Sequence, residues 1–384
     1  MPEIASTWMR GGTSKCWVFD RADLAAVGRP LDDVLPRLFG SPDPRQVDGV
    51  GGGTSTTSKA VILSPADDGD ADVSYTFAQV GTDQAVVDWG SNCGNCSSVA
   101  GLYAVRRGWV EPRDGTTTVR VRNTNTGQLI VLEVPTPGGV PDERGTAWIP
   151  GVPFPGVPVR MWFVDPAGRT TGKLFPTGAH IDEVPDGGGT LPVTIVDAGA
   201  PLVVVAARSV GLAGDESPAE IDAWPGLADR LDALRRHAAV AIGLADSPGS
   251  AERAVPKLAL VAEPHDDRSD LAVRMLSMGR AHPALAITGS VGLTLAARTP
   301  GTVIDRLAGT ASGAELRLAT PAGTVTTRTG EHEGRLAVAV TRTTRRLAEA
   351  TLVLPEAESP QETLVTSGEP RHDDHSAPEE VAVR

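Results

Sequence analysis

Glycine and proline interrupt this chain so often that long regular elements are excluded over most of it. There are 43 glycines and 31 prolines among 384 residues. Between the breaks lie short runs rich in Val, Ile, Thr and Leu, at 60–64, 72–80, 117–123, 129–134, 159–164, 191–196, 257–261 and 335–343. Their length and β-branched content predict strands. The runs at 117–123 and 129–134 flank a short turn and predict a hairpin. The strands follow one another too closely, with too few helices between them, for a doubly wound parallel sheet. Aromatic residues make up only 4%, so the cores must be built from Val, Leu, Ile and Ala.

Three regions carry a helical pattern. The first follows Asn92, reads CGNCSSVAGLYAVRRG and stops at Gly108. It is small and apolar nearly all round, which predicts burial. The second runs from about Pro218 to Gly243. Ser217, Pro218 and Glu220 form its start signal of cap, first-turn proline and capping-box glutamate. Pro225 and Gly226 predict a break after the first turns. The third, SVGLTLAAR, follows Gly289 and ends at Pro300 and Gly301. Two buried small-residue helices with strands around each suggest two related halves, at 1–185 and 186–354. The remaining stretch, 355–384, is acidic and proline-bearing, and is expected to be disordered.

Hydrophobic residues at 40% and charged residues at 22% are enough for substantial cores. The net charge of -13 opposes binding to nucleic acid or an anionic membrane, while leaving a locally basic pocket open. MPEIASTWMRGGTSK has no basic segment followed by an apolar one, so no leader is expected. The longest apolar run, 193–213, is broken by Asp197 and Pro201, which argues against a membrane span. Cys16, Cys93 and Cys96 cannot make a complete disulfide framework, and a reduced, cytoplasmic setting is expected.

Four segments bear chemistry. Arg10-Gly11-Gly12-Thr13-Ser14-Lys15 can offer backbone N–H groups, hydroxyls and a guanidinium to a carboxylate, or can simply turn the chain into a strand. The loop 51–58, three glycines followed by Ser and Thr, ends at Lys59. A strand-like AVILS follows, which rejects a nucleoside-triphosphate loop, since that needs a helix. What remains is a lysine that could act as a base if desolvated, or a flexible loop with a solvated lysine. Asn92-Cys93-Gly94-Asn95-Cys96 puts Cys93 at a helix start, where a thiolate would be favoured. The C-x-x-C spacing also admits redox chemistry, zinc or a plain buried cysteine, but no second C-x-x-C exists for zinc. Finally, Ser277 to His282 precedes Thr288-Gly289-Ser290, a further anion site at a helix start. His282 alone reads more readily as structural.

The segments MRGGTSK, GSPDPRQVDGVGGGTSTTSK, FAQVGTD, VDWGSNCGNCSSVAGLYAV, VRNTNTG, GKLFPTG, TIVDAGAP, VPKLALV and RMLSMGRAHPALAITGSVGL, in this order, resemble the PrpF family from about Met9 to Leu354. The resemblance implies an α+β diaminopimelate epimerase-like fold: two similar domains, each a curved, barrel-like sheet around a central helix, near 93–107 and 289–298. It implies a cofactor-independent isomerase that moves a proton and double bond in a small unsaturated di- or tricarboxylic acid. Lys59 and Cys93 match the family's proposed acid/base residues. Residues expected to bind the substrate are Arg10, Thr13, Ser14, Gly52, Gly53, Thr54, Ser55, Thr56, Asn92, Gly94, Asn95, Lys257, Ser277, Met278, Arg280, His282, Gly289 and Ser290. No metal or cofactor is expected. The partner is the small anionic acid, with a homodimer or homotetramer left open. Departures from the family pattern are Cys16, Trp17, Cys96, Ala200, Arg280 and Pro283, which leave the substrate unassigned. A non-catalytic ligand-binding or accessory protein on the same scaffold is the first alternative, and a redox or metal protein using Cys93 and Cys96 the second.

Overall fold

The computed structural model describes residues 1–356 apart from Asp68 and Ser91. Of the acidic end expected at 355–384, all but Pro355 and Glu356 lie outside the described residues. The first strands are β1 (Glu3–Gly11), β2 (Ser14–Asp20), β3 (Lys59–Pro65), β4 (Val73–Val80), the short β5 (Val87–Asp88), β6 (Gly115–Asn123), β7 (Leu129–Thr136) and β8 (Val157–Val164). Then come β9 (Asp182–Pro185), β10 (Thr190–Ala198), β11 (Ala200–Ala206), β12 (Lys257–Ala262), β13 (Leu271–Ser277), β14 (Arg280–Ala281), β15 (Glu315–Thr320), β16 (Gly323–His332) and β17 (Arg335–Val353). The strands predicted from the short β-branched runs are all present, and β6 and β7 form the expected hairpin.

β17 is long enough to serve both halves. Its first part pairs with β16 and β8, and its second part pairs with β1. Strands β1, β2, β3, β4, β6, β7, β8 and β17 thereby close an 8-strand barrel. The second sheet runs β9, β10, β11, β12, β13, β15, β16, β17 and remains open. So β17, from the far end of the chain, completes the first barrel, while β9 pairs with β10 and belongs to the second sheet. The two halves do not separate at one point in the sequence, because long-range strand pairing outweighs chain order.

The halves repeat one another. β2 with β3 and β4 with β6 are the parallel pairs of the first; β11 with β12 and β13 with β15 are those of the second. An arginine clasp repeats as well. Arg120 Nη2 donates to Asp72 Oδ1 at 2.7 Å, and Arg317 Nη2 to Asp270 Oδ1 at 2.7 Å.

Helices α1 (Arg21–Ala25), α2 (Leu31–Phe39), α3 (Gly94–Ser97), α4 (Val99–Arg106), α5 (Pro218–Ala223), α6 (Leu227–Ala241), α7 (Ile287–Ala296) and α8 (Val303–Ala308) fill the remaining layers. Ser217 and Glu220 form the predicted capping box on α5, and the chain breaks before α6 at Gly226. α4 lies inside the first barrel with every residue from Val99 to Val105 buried, and α7 is buried along its whole length. Small residues make this fit. A Cβ on Gly101 would lie 2.7 Å from Val134 Cγ2. The largest core packs around both helices at once, and α1–α2 and α5–α6 cover outer faces of the two sheets. Each fully buried Val or Leu there contributes about 1.5–3 kcal/mol. Among the described residues no helix is long and apolar enough to cross a membrane.

Candidate active site

The starts of the two central helices meet between the halves. A Cβ on Gly94 would lie 2.9 Å from Ile287 Cβ, so only glycine lets α3 approach α7 this closely. Asn95 ties the halves together, its Nδ2 donating to Leu285 O at 3.2 Å. A cavity at this junction is lined by Ser14, Ser55, Lys59, Asn92, Cys93, Gly94, Asn95, Lys257, Ser277, Met278 and His282. All were expected from the sequence. Phe77, Gln79, Ala254, Ala286, Ile287 and Thr288 complete the wall.

Lys59 opens β3 and is only 7% exposed. Its Nζ donates to Gln79 Oε1 at 2.5 Å and lies 5.0 Å from the centre of the Phe77 ring. Gln79 faces Lys59 across the β3–β4 ladder and is itself fixed, its Nε2 donating to Ser58 O at 2.8 Å. The glycine loop is held from behind by the buried Gln46, which accepts from Gly53 N at 2.9 Å and donates to Ser58 Oγ at 2.7 Å. It is therefore a built loop rather than a loose one, and Lys59 is not solvated.

Cys93 is the N-cap of α3, where its Sγ accepts from Cys96 N at 3.4 Å. A lowered thiol pKa was expected from the helix start. The structure gives the reverse: the adjoining Cys96 thiol, and then burial, push Cys93 well up, against a smaller pull from Lys59. α3 is a single turn, too short to outweigh these effects. Cys93 rests as a thiol, a proton donor.

Lys257 opens β12 and is 5% exposed, with its Nζ 3.4 Å from Ala254 O. Burial brings it down to about 8. His282 Nδ1 accepts from Ala284 N at 3.0 Å, which requires the neutral ring. Burial first, then the charges of Lys59 and Lys257, lower it to about 4. Met278 has a φ of 56°, a strained backbone that presents Ser277 and Met278 to the cavity. The side-chain O and N of Asn92 and the hydroxyl of Thr288 are buried at the cavity without a protein partner. Among the described residues no Asp or Glu lines this cavity, and no three His, Cys, Asp or Glu side chains gather as a metal group.

Several expected residues lie elsewhere. Arg10 Nη1 donates to Gly12 O and Thr343 O, both at 3.0 Å, so the guanidinium staples β1 to β17 instead of reaching the cavity. Thr13 packs its methyl toward Gly151 on the far side of the turn, and only its neighbour Ser14 lines the cavity. In the glycine loop, Gly52 lies against Thr57, Gly53 lies near Pro44 and Arg45, and the hydroxyls of Thr54 and Thr56 bond each other, leaving Ser55 at the cavity. Arg280 is exposed and pairs with Asp222 at 3.6 Å. α7 begins two residues before Gly289, so Gly289 packs on Met275 and Ser290 bonds Ile287 O, while Thr288 takes the cavity position. Phe77 and Gln79 escaped the reading of single residues. Their signal was the strand register: Gln79 pairs with the lysine, and Phe77 lies two residues away on the same face.

The family model described as PrpF protein matches residues 1–355. The 2-methyl-aconitate isomerase of Shewanella oneidensis is 37% identical over 84% of this chain and 88% of its own. The (4E)-oxalomesaconate Delta-isomerase of Novosphingobium sp. is 39% identical over 83% of this chain and 87% of its own. The crystal structure of a methylitaconate-delta-isomerase superposes with a TM-score of 0.76 at 35% identity, covering 94% of this chain and 99% of that one. A hydroxyproline epimerase from Agrobacterium vitis shares the fold alone, at a TM-score of 0.54 and 16% identity over 92% of this chain and 94% of its own.

Fold and relatives thus define an isomerase with the diaminopimelate epimerase-like architecture. The chain belongs to the PrpF family.

Proposed function

We propose that this isomerase shifts a proton, and with it a double bond or its geometry, in a small unsaturated di- or tricarboxylic acid of the aconitate, methylaconitate or itaconate type. Lys59 and Cys93 are its acid–base pair. The observation that carries the reading is the cavity wall itself. It holds two lysines, a cysteine thiol and unpartnered amide and hydroxyl groups, with no carboxylate among the described residues. Such a wall favours a polyanion. The names of the relatives, isomerases of methylaconitate, oxalomesaconate and methylitaconate, point to the same substrate class.

The chemistry asks for what the wall supplies. A C–H bond beside a conjugated carboxylate is a weak acid, so the developing dienolate charge must be neutralised while a positioned base takes the proton. Lysine charge is effective in a desolvated cleft, where Coulomb energies far exceed those in water. The Asn92 amide and Thr288 hydroxyl offer hydrogen bonds to substrate oxygens. Cys93, resting as a thiol, can return a proton at the second carbon.

Incubation with a panel of unsaturated acids, followed by ultraviolet absorbance and proton NMR in deuterium oxide, tests this. At least one acid of the class should isomerise with deuterium entering at the shifted position. No turnover and no exchange across the panel would refute the reading.

A further inference from the structure

The cavity wall limits how many carboxylates it can neutralise. Its only cations among the described residues are Lys59 and Lys257. His282 is neutral and Cys93 rests as a thiol, so the wall carries at most two positive charges. Other cations near the junction are engaged outside it. Arg10 staples β1 to β17, and Lys15 Nζ lies 4.6 Å from the centre of the Trp8 ring. Arg253 pairs with Asp83 at 3.7 Å and Arg280 with Asp222 at 3.6 Å. Arg342 lies behind the β1–β2 turn, its Cδ 3.0 Å from where a Gly12 Cβ would stand, and lines a separate cavity with Trp148 and Trp162. The charges that act on Lys257 and His282 agree with this census. They belong to Lys59, Lys257, Cys93 and Asp88, with no arginine among them. Asp88, from β5, adds negative charge on the Lys257 side.

Two places in the wall have unmet polar groups. Lys257 is 5% exposed and has only the Ala254 carbonyl, at 3.4 Å. At the other, the Asn92 amide and the Thr288 hydroxyl are buried without a protein partner. Thr288 is the second residue of α7, where backbone N–H groups lack helical partners and favour an anion. Lys59 already has Gln79 as its acceptor at 2.5 Å. Ser14, Ser55 and Ser277 add hydroxyls without charge, while Phe77, Ala254, Met278, Ala286 and Ile287 present apolar surface. A third carboxylate would be desolvated there with no cation to meet it, which is costly. A methyl or methylene group would gain from the same surface.

We propose that the substrate is a dicarboxylate: one carboxylate seated on Lys257, the other at the start of α7 against Asn92 and Thr288, with only hydrogen or short alkyl groups as further substituents. This rests on the isomerase reading above and narrows it to acids of the itaconate type over those of the aconitate type. The reacting carbons then lie between the two seats, within the part of the wall that holds Lys59 and Cys93.

The test measures kcat/KM of the wild type for itaconate and methylitaconate against cis-aconitate and methylaconitate, at one ionic strength. The better dicarboxylate should lead the better tricarboxylate by at least ~10-fold. A smaller lead, or a lead for a tricarboxylate, overturns the proposal and leaves the isomerase reading intact. Turnover of none of the four is a separate outcome that counts against that reading, and binding then decides the carboxylate count. By isothermal titration calorimetry the wild type should bind methylsuccinate at least ~10-fold more tightly than tricarballylate. Equal or reversed affinity, or no binding of either, overturns the proposal. In Lys257→Met, shown to be folded by circular dichroism, affinity for methylsuccinate should fall at least ~10-fold, and unchanged affinity removes the seat at Lys257. Should that variant not fold, the wild-type comparisons stand as the test.

Discussion

Gly12 and Asn95 approach so closely that a Cβ on Gly12 would lie 2.0 Å from Asn95 Oδ1. Gly12 also has a φ of +52°, in the left-handed region. Asn95 in turn reaches across to Leu285 in the second half. The β1–β2 turn, the start of α3 and the entry to α7 are thus set against one another at a single contact. Gly12→Ala should cost about 1–3 kcal/mol from backbone strain alone. It should also displace Asn95 and lower turnover more than the stability loss explains. Urea unfolding and steady-state kinetics on the same sample check both.

Gln79 is expected to act through Lys59. Gln79→Leu removes the acceptor at 2.5 Å and the tie to Ser58 O while preserving much of the volume. Turnover should fall ~10-fold or more with a smaller change in KM, since Lys59 loses its fixed position. A KM effect alone would instead make Gln79 a binding residue.

His282 makes stability depend on acid. Its folded pKa is about 4 against an ordinary 6.5, so the unfolded chain binds its proton first. The contribution is fully present above 6.5 and is lost as pH falls toward 4, with nothing further lost below that. The span corresponds to about 3.4 kcal/mol. His282→Gln should flatten the fall in urea midpoint between pH 6.5 and 4. An unchanged slope would mean that His282 is not the group responsible.

The three cysteines should separate in function. The Cys96 thiol contacts those of Cys93 and Cys16, but only Cys93 lines the cavity. Cys93→Ser should lower turnover by ~10² or more, the scale of a lost general acid, while Cys96→Ser should cost far less. Equal losses, with activity restored by added metal or oxidant, would favour redox or metal chemistry.

Much of this molecule was legible because local rules decide its local features. β-branched runs between glycines became strands, and Ser217 with Glu220 became a capped helix start. Lys59 and Cys93 stand out as candidates because each sits at the edge of an element, where a chain break marks it, and the resemblance to the PrpF family is what pairs them as acid and base. What escaped depends on pairing between distant residues. Arg10 reads as an anion ligand beside two glycines, yet β17, more than three hundred residues away, supplies the carbonyl that takes it. The barrel closure by β17 has no local signal at all. α7 begins at Ile287 with no side-chain cap, so nothing in the sequence marked its true start, and the expected anion site shifted from Ser290 to Thr288. Gln79 and Phe77 become visible only once β3 and β4 are laid side by side.

The central claim is that Lys59 and Cys93 carry a proton to and from substrate carbon. The most direct measurement is deuterium exchange by proton NMR, in deuterium oxide, of an acid that the wild type turns over. The wild type, Lys59→Ala and Cys93→Ser would be compared, each shown to be folded by circular dichroism. The account predicts exchange at the shifted carbon in the wild type and a loss of at least ~10² in both variants. Exchange at the wild-type rate in either folded variant would contradict it.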